Sequence, residues 1–237
     1  MQGEVGEKRC LVTPQHPCSY LPRRQARTLF FDPRETVTGE TYRLLTEHGF
    51  RRSGSHMYRP HCQTCNACIP VRIPVESFRA RRKQKRVAAR NTDVRVRAED
   101  AAFRQSYFRL YADYLAARHM DGDMYPTSPD QFRSFLLCHW SNTFFLNAYL
   151  GDQLIAVAVT DYNAGGLSAI YTFFDPRYSA RSPGVLSILN QIELCRQLRL
   201  PYLYLGYWIR DSAKMRYKTE YRPVELLVNG RWVPFNR

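Results

Sequence analysis

Hydrophobic residues in the second half of the chain are spaced as in helices in some segments and as in strands in others. Helical spacing predicts helices at Ala101–Arg118, Ser128–Trp140 and Ser182–Arg199. Strand-like stretches of hydrophobic residues predict strands at Thr143–Leu150, Leu154–Asp161, Leu167–Phe174 and Tyr202–Tyr207. The first three strands are separated only by short turn sequences, so they are expected to pair as antiparallel neighbours. The order of these elements predicts an α+β domain with a mainly antiparallel sheet.

The first hundred residues are patterned less regularly. Four prolines between Pro14 and Pro33 favour an irregular start, because proline fixes φ and removes an N–H donor. Helices are predicted at Glu40–Gly49 and Phe78–Arg90, a short strand at Ile69–Val75 and a loop at Met57–Cys68. Composition shifts near residues 91–101. We therefore expect a smaller cysteine-containing domain over residues 1–95 and the α+β domain over residues 96–237.

Composition favours a folded protein over a disordered one, since 44% of the residues are hydrophobic and 14% aromatic. No run of about 18 apolar residues is present to span a membrane. Residues 1–10 have no apolar segment of the kind that export signals carry. The seven cysteines are therefore expected to be reduced thiols or metal ligands, and the protein is expected to be cytoplasmic.

Positive charge is concentrated in the first half of the chain. The formal net charge is +14, and residues 1–100 contribute +10 of it. Nine bases and one acid lie between Arg79 and Arg97. Such a density attracts a polyanion through Coulomb attraction and counterion release, so nucleic acid is the expected partner. The alternative is a solvated helix face without a ligand. The predicted contacts are Arg82, Lys83, Lys85 and Arg86.

Three cysteines separated by two residues each are the sharpest local motif. Cys62, Cys65 and Cys68 can direct their thiolates to a common centre, with Cys18 as the natural fourth ligand. Soft thiolates favour zinc or an iron–sulfur cluster over magnesium or calcium. Ordinary buried or redox-sensitive thiols are the alternative.

Several longer motifs occur in order from about residue 15 to the end of the chain. They are Cys18–Pro22, Gly49–Gly54, Tyr58–Cys68, Arg118–Gly122, Val159–Asp161, Gly166–Pro176, Tyr202–Trp208, Lys214–Lys218 and Tyr221–Pro223. Together they resemble the arginyl-tRNA–protein transferase family, and most closely its bacterial branch, the aspartate/glutamate leucyltransferases. One departure is Ser212, which stands where the family often has a cysteine and argues against an obligatory thiol nucleophile there.

The resemblance implies an acyl transfer that needs no coenzyme A or other cofactor. An amino acid, leucine or arginine, passes from its tRNA to the α-amino group of a protein that begins with Asp or Glu, and this marks the protein for degradation. Closeness to the bacterial branch favours leucine. The resemblance further implies a catalytic domain similar to the GNAT acyltransferase fold. It links Cys18, Cys62, Cys65 and Cys68 to a structural or regulatory zinc ion or iron–sulfur cluster.

Catalysis of such a transfer needs only positioning, a donor to the carbonyl oxygen and a proton route, because the ester is already activated. Asp175, between a predicted strand and a proline, is expected to orient the amine or act as base, and a turn-forming Asp-Pro is the alternative. Tyr171 and Tyr207 are expected to donate to the developing oxyanion, although strand tyrosines more often pack in a core.

Binding of the substrates is expected to use basic residues. Lys214 and Lys218 would share a helix face toward a phosphate or carboxylate, unless both are simply solvated. Arg181 and Arg222 suit an acidic acceptor side chain because a guanidinium binds a carboxylate through two parallel bonds. Arg181 also begins an anion-binding corner at a helix start. His119 is expected to shuttle a proton or to be structural.

Two other functions compete with this interpretation. A coenzyme A–dependent N-acyltransferase would explain the predicted C-terminal fold but leaves the cysteines and the basic N-terminal half without a role. A non-enzymatic zinc-containing RNA-binding module would explain the charge and the cysteines but leaves the patterned C-terminal domain without a purpose.

Overall fold

The structure, a computed structural model, describes residues 9–120, 122 and 124–235. Residues 1–8, for which the sequence predicts no export signal, and Asp121 of the Arg118–Gly122 motif lie outside these ranges. The described helices are α1 Gly39–Glu47, α2 Arg82–Arg90, α3 Gln105–Arg118, α4 Pro129–Leu136 and α5 Pro183–Gln197. Two 3-10 helices cover Pro176–Arg181 and Arg216–Glu220.

The strands form one small and one large sheet and a two-stranded pair. The small sheet contains β1 Cys10–Val12, β4 Thr28–Phe31, β5 Arg51–Ser53 and β6 His56–Pro60, and the pair consists of β2 His16–Pro17 and β3 Gln25–Ala26. The large sheet contains β7 Ile69–Pro74, β8 Val94–Asp100, β9 Asn142–Leu150, β10 Gln153–Asn163, β11 Gly166–Phe174, β12 Tyr202–Trp208, β13 Glu225–Val228 and β14 Arg231–Pro234.

The large sheet has the order β14-β13-β7-β12-β11-β10-β9-β8. Its neighbouring strands are antiparallel except β11 and β12, which are parallel and joined through α5. An α+β fold with a mainly antiparallel sheet is therefore confirmed. The loop predicted at Met57–Cys68 was wrong for Met57–Pro60, because these residues pair with both β4 and β5.

The large sheet extends across the domain boundary expected at residue 95. β7 lies in the middle of this sheet, between β12 and β13, although it precedes that residue by more than twenty positions. β8, at Val94–Asp100, forms the opposite edge and pairs with β9. The N-terminal segment thus supplies strands to the sheet that contains the C-terminal elements.

Helices cover both faces of the large sheet. Val157 and Val159 of β10 pack in a cluster with Phe132 of α4. On the other face, Thr160 accepts a hydrogen bond from Gln191 of α5 at 2.8 Å. Such alternation is what a strand buried on both faces requires, since successive side chains point to opposite sides.

A buried ion pair joins the small sheet to the large one. Arg52 of β5 donates two hydrogen bonds to Asp161 of β10, at 2.5 and 2.8 Å, and neither side chain is exposed. Tyr42 of α1 and Thr143 of β9 donate to the same carboxylate at 2.6 and 2.8 Å. Four donors therefore satisfy a charge that would otherwise be costly to bury.

Candidate active site

A gap opens in the large sheet between β11 and β12. The two strands pair only where Gly166–Ser168 lies beside Tyr202–Tyr204, and β12 then shifts register against β7 between Tyr204 and Gly206. We call the space between Ala169–Ile170 of β11 and Gly206 of β12 the strand gap. Diverging parallel strands leave backbone groups without a neighbour, so such a gap is a natural place for a ligand.

Arg51 of β5 reaches into the strand gap. Its Nη2 donates hydrogen bonds to the carbonyl oxygens of Ala169 and Ile170, the latter at 2.8 Å. The side chain passes over Gly206, where a Cβ would lie 2.6 Å from the Nε of Arg51. Gly206 has a φ of +79°, so both its conformation and this close approach favour glycine.

Lys218 and Tyr207 lie beside the gap. Lys218, which is buried, donates from Nζ to the carbonyl oxygen of Tyr207 at 2.8 Å and to the sulfur of Met215 at 3.5 Å. Burial lowers the pKa of Lys218 well below its ordinary value, and the charge of Arg51 lowers it further. A buried lysine with a depressed pKa is typical of functional sites as well as of structural networks.

The hydroxyl of Tyr207 is engaged with the backbone. It donates toward the carbonyl oxygens of Gly49 and Tyr58, at 2.9 and 3.1 Å. Burial raises the pKa of the phenols of Tyr58 and Tyr207, and partial burial raises that of Tyr20 and Tyr217. The positive charge of the Arg51 guanidinium opposes the rise in all four. The charge of Arg51 therefore acts on tyrosines from four separate segments.

The four predicted cysteine ligands lie near one another. Burial raises the pKa of the Cys68 thiol to about 12, and the neighbouring thiols of Cys18, Cys62 and Cys65 add to that rise. The charge of Lys218 opposes the rise. Cys68 also lines one cavity with Tyr207, so residues 61–68, which we call the cysteine loop, border the strand gap. Within the described ranges, however, no three His, Cys, Asp or Glu side chains are arranged to hold a metal ion. Four soft thiols on two loops match the donor set of zinc or an iron–sulfur cluster.

A second group of aromatic side chains lies along β11. The ring of Tyr171 packs against those of Tyr114 and Phe135, at centroid distances of 6.3 and 5.3 Å, and Tyr114 also packs against His119 at 5.4 Å. The buried hydroxyl of Tyr171 has no hydrogen-bond partner among the residues that the structure describes. Tyr171 and His119 therefore both contact the ring of Tyr114.

Asp175 caps the N-terminus of the 3-10 helix Pro176–Arg181. Its carboxylate accepts a hydrogen bond from the backbone N–H of Arg177 at 2.9 Å and pairs with the Arg177 guanidinium at 2.7 Å. These contacts hold the pKa of Asp175 below its ordinary value. The turn-forming alternative matches this geometry, and a carboxylate of lowered pKa is a weaker base.

The two arginines predicted for an acidic acceptor have partners within the chain. Arg181 donates to both carboxylate oxygens of Asp93, at 2.8 and 2.9 Å, and to the carbonyl oxygen of Arg90 at 3.0 Å. Arg222 donates to the carbonyl oxygen of Thr219 at 3.2 Å. A substrate carboxylate at Arg181 would have to displace Asp93.

Lys214 and the four predicted basic residues of α2 lie at the surface. Lys214 is exposed in the turn before the second 3-10 helix, whereas Lys218 is buried, so the two do not share a helix face. Arg82, Lys83, Lys85 and Arg86 are exposed on α2, and Lys83 pairs with Glu220 at 3.5 Å. They form a basic surface that a polyanion can reach.

Sequence analysis did not single out Arg51, Arg52 or Asp161 as site residues. The one indication in the sequence was that all three lie in motifs shared with the family. Arg51 and Arg52 belong to Gly49–Gly54, and Asp161 ends Val159–Asp161. The bond from Arg51 to Ile170 spans 119 residues of sequence and the bond from Arg52 to Asp161 spans 109, and no local pattern records such contacts.

Comparison with known proteins identifies the class of protein to which this site belongs. Residues 16–86 match the family described as "Arginine-tRNA-protein transferase, N terminus", and residues 106–228 match "Arginine-tRNA-protein transferase, C terminus". The chain belongs to the arginine-tRNA-protein transferase family, and the resemblance found in the sequence is confirmed. It is an enzyme of the aminoacyltransferase class.

Curated relatives cover nearly the whole chain. The aspartate/glutamate leucyltransferase of Alcanivorax borkumensis is 53% identical over 229 residues, which are 97% of this chain and 95% of the relative. That of Hahella chejuensis is 53% identical over 222 residues, 94% of this chain and 95% of the relative. That of Pseudomonas fluorescens (strain Pf0-1) is 51% identical over 233 residues, 98% of this chain and 99% of the relative.

Solved structures give a weaker match. The L-PGS of Bacillus licheniformis is 11% identical, with a TM-score of 0.45, and the match covers 72% of this chain and 50% of that one. A TM-score at this level does not establish a shared fold. In the part of the chain that the structure describes, every helix is too short or too polar to cross a lipid bilayer.

Proposed function

We propose that this enzyme transfers leucine from leucyl-tRNA to the α-amino group of proteins that begin with Asp or Glu. The observation that carries the proposal is the identity of about half of all positions with aspartate/glutamate leucyltransferases over almost the entire chain. The transfer gives the acceptor protein a new N-terminal residue, which marks that protein for degradation.

The strand gap supports an acyl transfer between two bulky substrates. In the reaction, the α-amine nitrogen attacks the ester carbonyl carbon, a C–N bond forms and the C–O bond to ribose breaks. The proton lost by the amine ends on the ribose oxygen. An α-amine has a pKa of roughly 8, so an appreciable fraction is neutral at cellular pH and no strong base is needed. Positioning and stabilisation of the carbonyl oxygen are the remaining requirements.

The arrangement of the C-terminal elements supports a GNAT-like acyltransferase fold. Three antiparallel strands, β9 to β11, are followed by α5 and by β12, which runs parallel to β11 and then diverges from it. We assign the ester to the diverging part of this pair. Tyr171, Tyr207 and Lys218 lie on or beside these strands. Asp175, His119, Lys214, Arg181 and Arg222 stay predictions as substrate contacts.

The cysteine loop supports a bound zinc ion or iron–sulfur cluster. The ligands would be Cys18, Cys62, Cys65 and Cys68. The bound zinc ion or cluster would hold in place the loop that borders Tyr207 and Lys218. The transfer chemistry itself uses amine, ester and protein donors alone, so a structural or regulatory role suits the site.

A transfer assay tests the proposal. The purified protein is incubated with leucyl-tRNA or arginyl-tRNA and with peptides that differ only in their first residue. We expect leucine on peptides that begin with Asp or Glu and none on matched peptides that begin with Ala. Parallel reactions with acyl-coenzyme A test the competing N-acyltransferase. If the protein binds tRNA but modifies no peptide, the RNA-binding module is the better description.

A further inference from the structure

Arg51 has contacts that go beyond a packing role in the small sheet. One nitrogen of its guanidinium bonds the carbonyl oxygens of Ala169 and Ile170, which are the first backbone groups of β11 beyond the pairing with β12. The arginine thus enters the sheet from outside and lies in the strand gap.

The rest of the guanidinium is available for a ligand. Nε and Nη1 of Arg51 make no hydrogen bond with any residue within the described ranges, and the side chain is only half-buried. A guanidinium anchored on one edge presents its other donors in a fixed plane. This is the geometry that a developing oxyanion requires, because fixed donors need no reorganisation during the reaction.

The backbone at Arg51 is also held in place by its neighbour in the chain. The next residue, Arg52, is locked by the buried bonds to Asp161 at 2.5 and 2.8 Å, so β5 has little freedom relative to β10. Gly206 leaves room for the arginine at the bulge of β12. The rings of Tyr20 and Tyr217 are partly exposed, and both lie near enough to Arg51 for its charge to act on their phenols; such rings suit unstacked bases of an RNA end.

We propose that Arg51 is a catalytic residue that donates from its unbonded edge to the carbonyl oxygen of the aminoacyl ester in the strand gap. It stabilises the negative charge that develops on this oxygen while the amine attacks, and it is not itself altered. The assignment rests on the proposed leucyl transfer.

The test measures chemistry and binding separately on the full chain. The wild-type protein is first shown to transfer leucine; failure here refutes the proposed function rather than the role of Arg51. Single-turnover rates with leucyl-tRNA and a Glu-initiated peptide are then compared with the Kd for leucyl-tRNA. For Arg51→Gln we expect the rate constant to fall about 100-fold, as for the loss of one oxyanion donor, with Kd changed less than about twofold.

Further variants separate this role from a structural one. Arg133→Gln removes the same charge from an exposed position on α4 and should leave both quantities unchanged. Methylguanidinium should restore part of the rate to Arg51→Ala. If Arg51→Gln does not fold, Arg51→Lys carries the test, with a reduced rate constant and an unchanged Kd expected. A wild-type rate constant in the folded variants, or a loss confined to Kd, would overturn the assignment.

Discussion

The carboxylate of Glu99, on the edge strand β8, accepts hydrogen bonds both from residues nearby in sequence and from the neighbouring strand β9. It accepts hydrogen bonds from Tyr149 of β9 at 2.7 Å, from Tyr107 of α3 at 3.0 Å and from Arg104 at 2.6 Å. These bonds, that from Tyr149 foremost, lower the pKa of Glu99 from 4.5 to about 2. The ionised form is therefore favoured in the folded state.

The depressed pKa of Glu99 predicts a pH-dependent contribution to stability. The unfolded chain takes up the proton first as pH falls, so the contribution is present above about pH 4.5 and is lost between pH 4.5 and 2. Glu99→Gln should lower the free energy of unfolding at neutral pH, and its difference from wild type should shrink across that interval. Denaturant unfolding at several pH values measures this, and parallel curves would contradict it. Tyr149→Phe should give a smaller effect of the same sign.

Among the helices, α2 carries the strongest concentration of charge. Gln84 and Val87 are buried, and the side-chain oxygen of Gln84 accepts from the backbone N–H of Arg81 at 2.8 Å, which explains why the helix begins at Arg82. Of the four bases on its outer face, Lys83 pairs with Glu220, and no ion pair is formed by the other three with a described residue. This face is the part of the molecule best suited to the phosphates of tRNA.

Neutralising that face should weaken tRNA binding. The variant in which Arg82, Lys83, Lys85 and Arg86 are all replaced by Gln should bind leucyl-tRNA more weakly and show a flatter dependence of log Kd on log salt concentration. Each phosphate contact that is lost lowers the slope by roughly 0.7 to 0.9. Filter binding at several salt concentrations provides the measurement.

The control for this prediction has the same total charge. It replaces four exposed arginines on other elements, namely Arg109, Arg133, Arg199 and Arg231. If both variants lose the same affinity and slope, net charge rather than α2 attracts the tRNA, and the assignment of this helix fails.

The cysteine loop is expected to bind a metal ion or cluster, and a single substitution tests this. Cys65→Ser should lower the zinc or iron and sulfide content per chain, because a tetrahedral site loses one of its four ligands. Elemental analysis of the purified protein checks this. Cys10→Ser, an exposed cysteine outside the group, is the matched control, and equal metal content in the wild type and Cys65→Ser would remove the loop from consideration as a metal site.

At the scale of the whole molecule, the Arg52–Asp161 pair decides how the small sheet sits on the large one. Both side chains are fully buried, and the carboxylate also bonds Tyr42 and Thr143. Because Arg51 directly precedes Arg52 in the chain, the same pair places the Arg51 guanidinium in the strand gap.

Breaking the pair should destabilise the protein strongly. Asp161→Asn leaves the buried charge of Arg52 without its partner, which costs about 3–5 kcal/mol of unfolding free energy. Asp130→Asn breaks the exposed pair with Arg133 and should cost less than about 1 kcal/mol. Denaturant unfolding compares the two, and a similar small loss in both variants would show that the buried pair contributes little to stability.

Local pattern was sufficient for most helices and strands of the C-terminal half. The helix predicted from Ser128 begins there: Ser128 caps α4, Gln131 returns a hydrogen bond to the Ser128 backbone, and Pro129 takes the first helical position. The hairpins that join β9, β10 and β11 also lie where their turn residues placed them. These features depend on contacts between residues close in sequence, which spacing and turn chemistry record directly.

Spacing, turn chemistry, charge and shared motifs were thus enough to predict these elements, the basic face of α2 and the family. The tertiary structure alone decided that β7 enters the large sheet, that Lys218 is buried while Lys214 is exposed, and that Arg51 lies between β11 and β12. The physical reason is the same for all three: each depends on backbone or side-chain contacts between segments far apart in the chain, and periodicity carries no information about such partners.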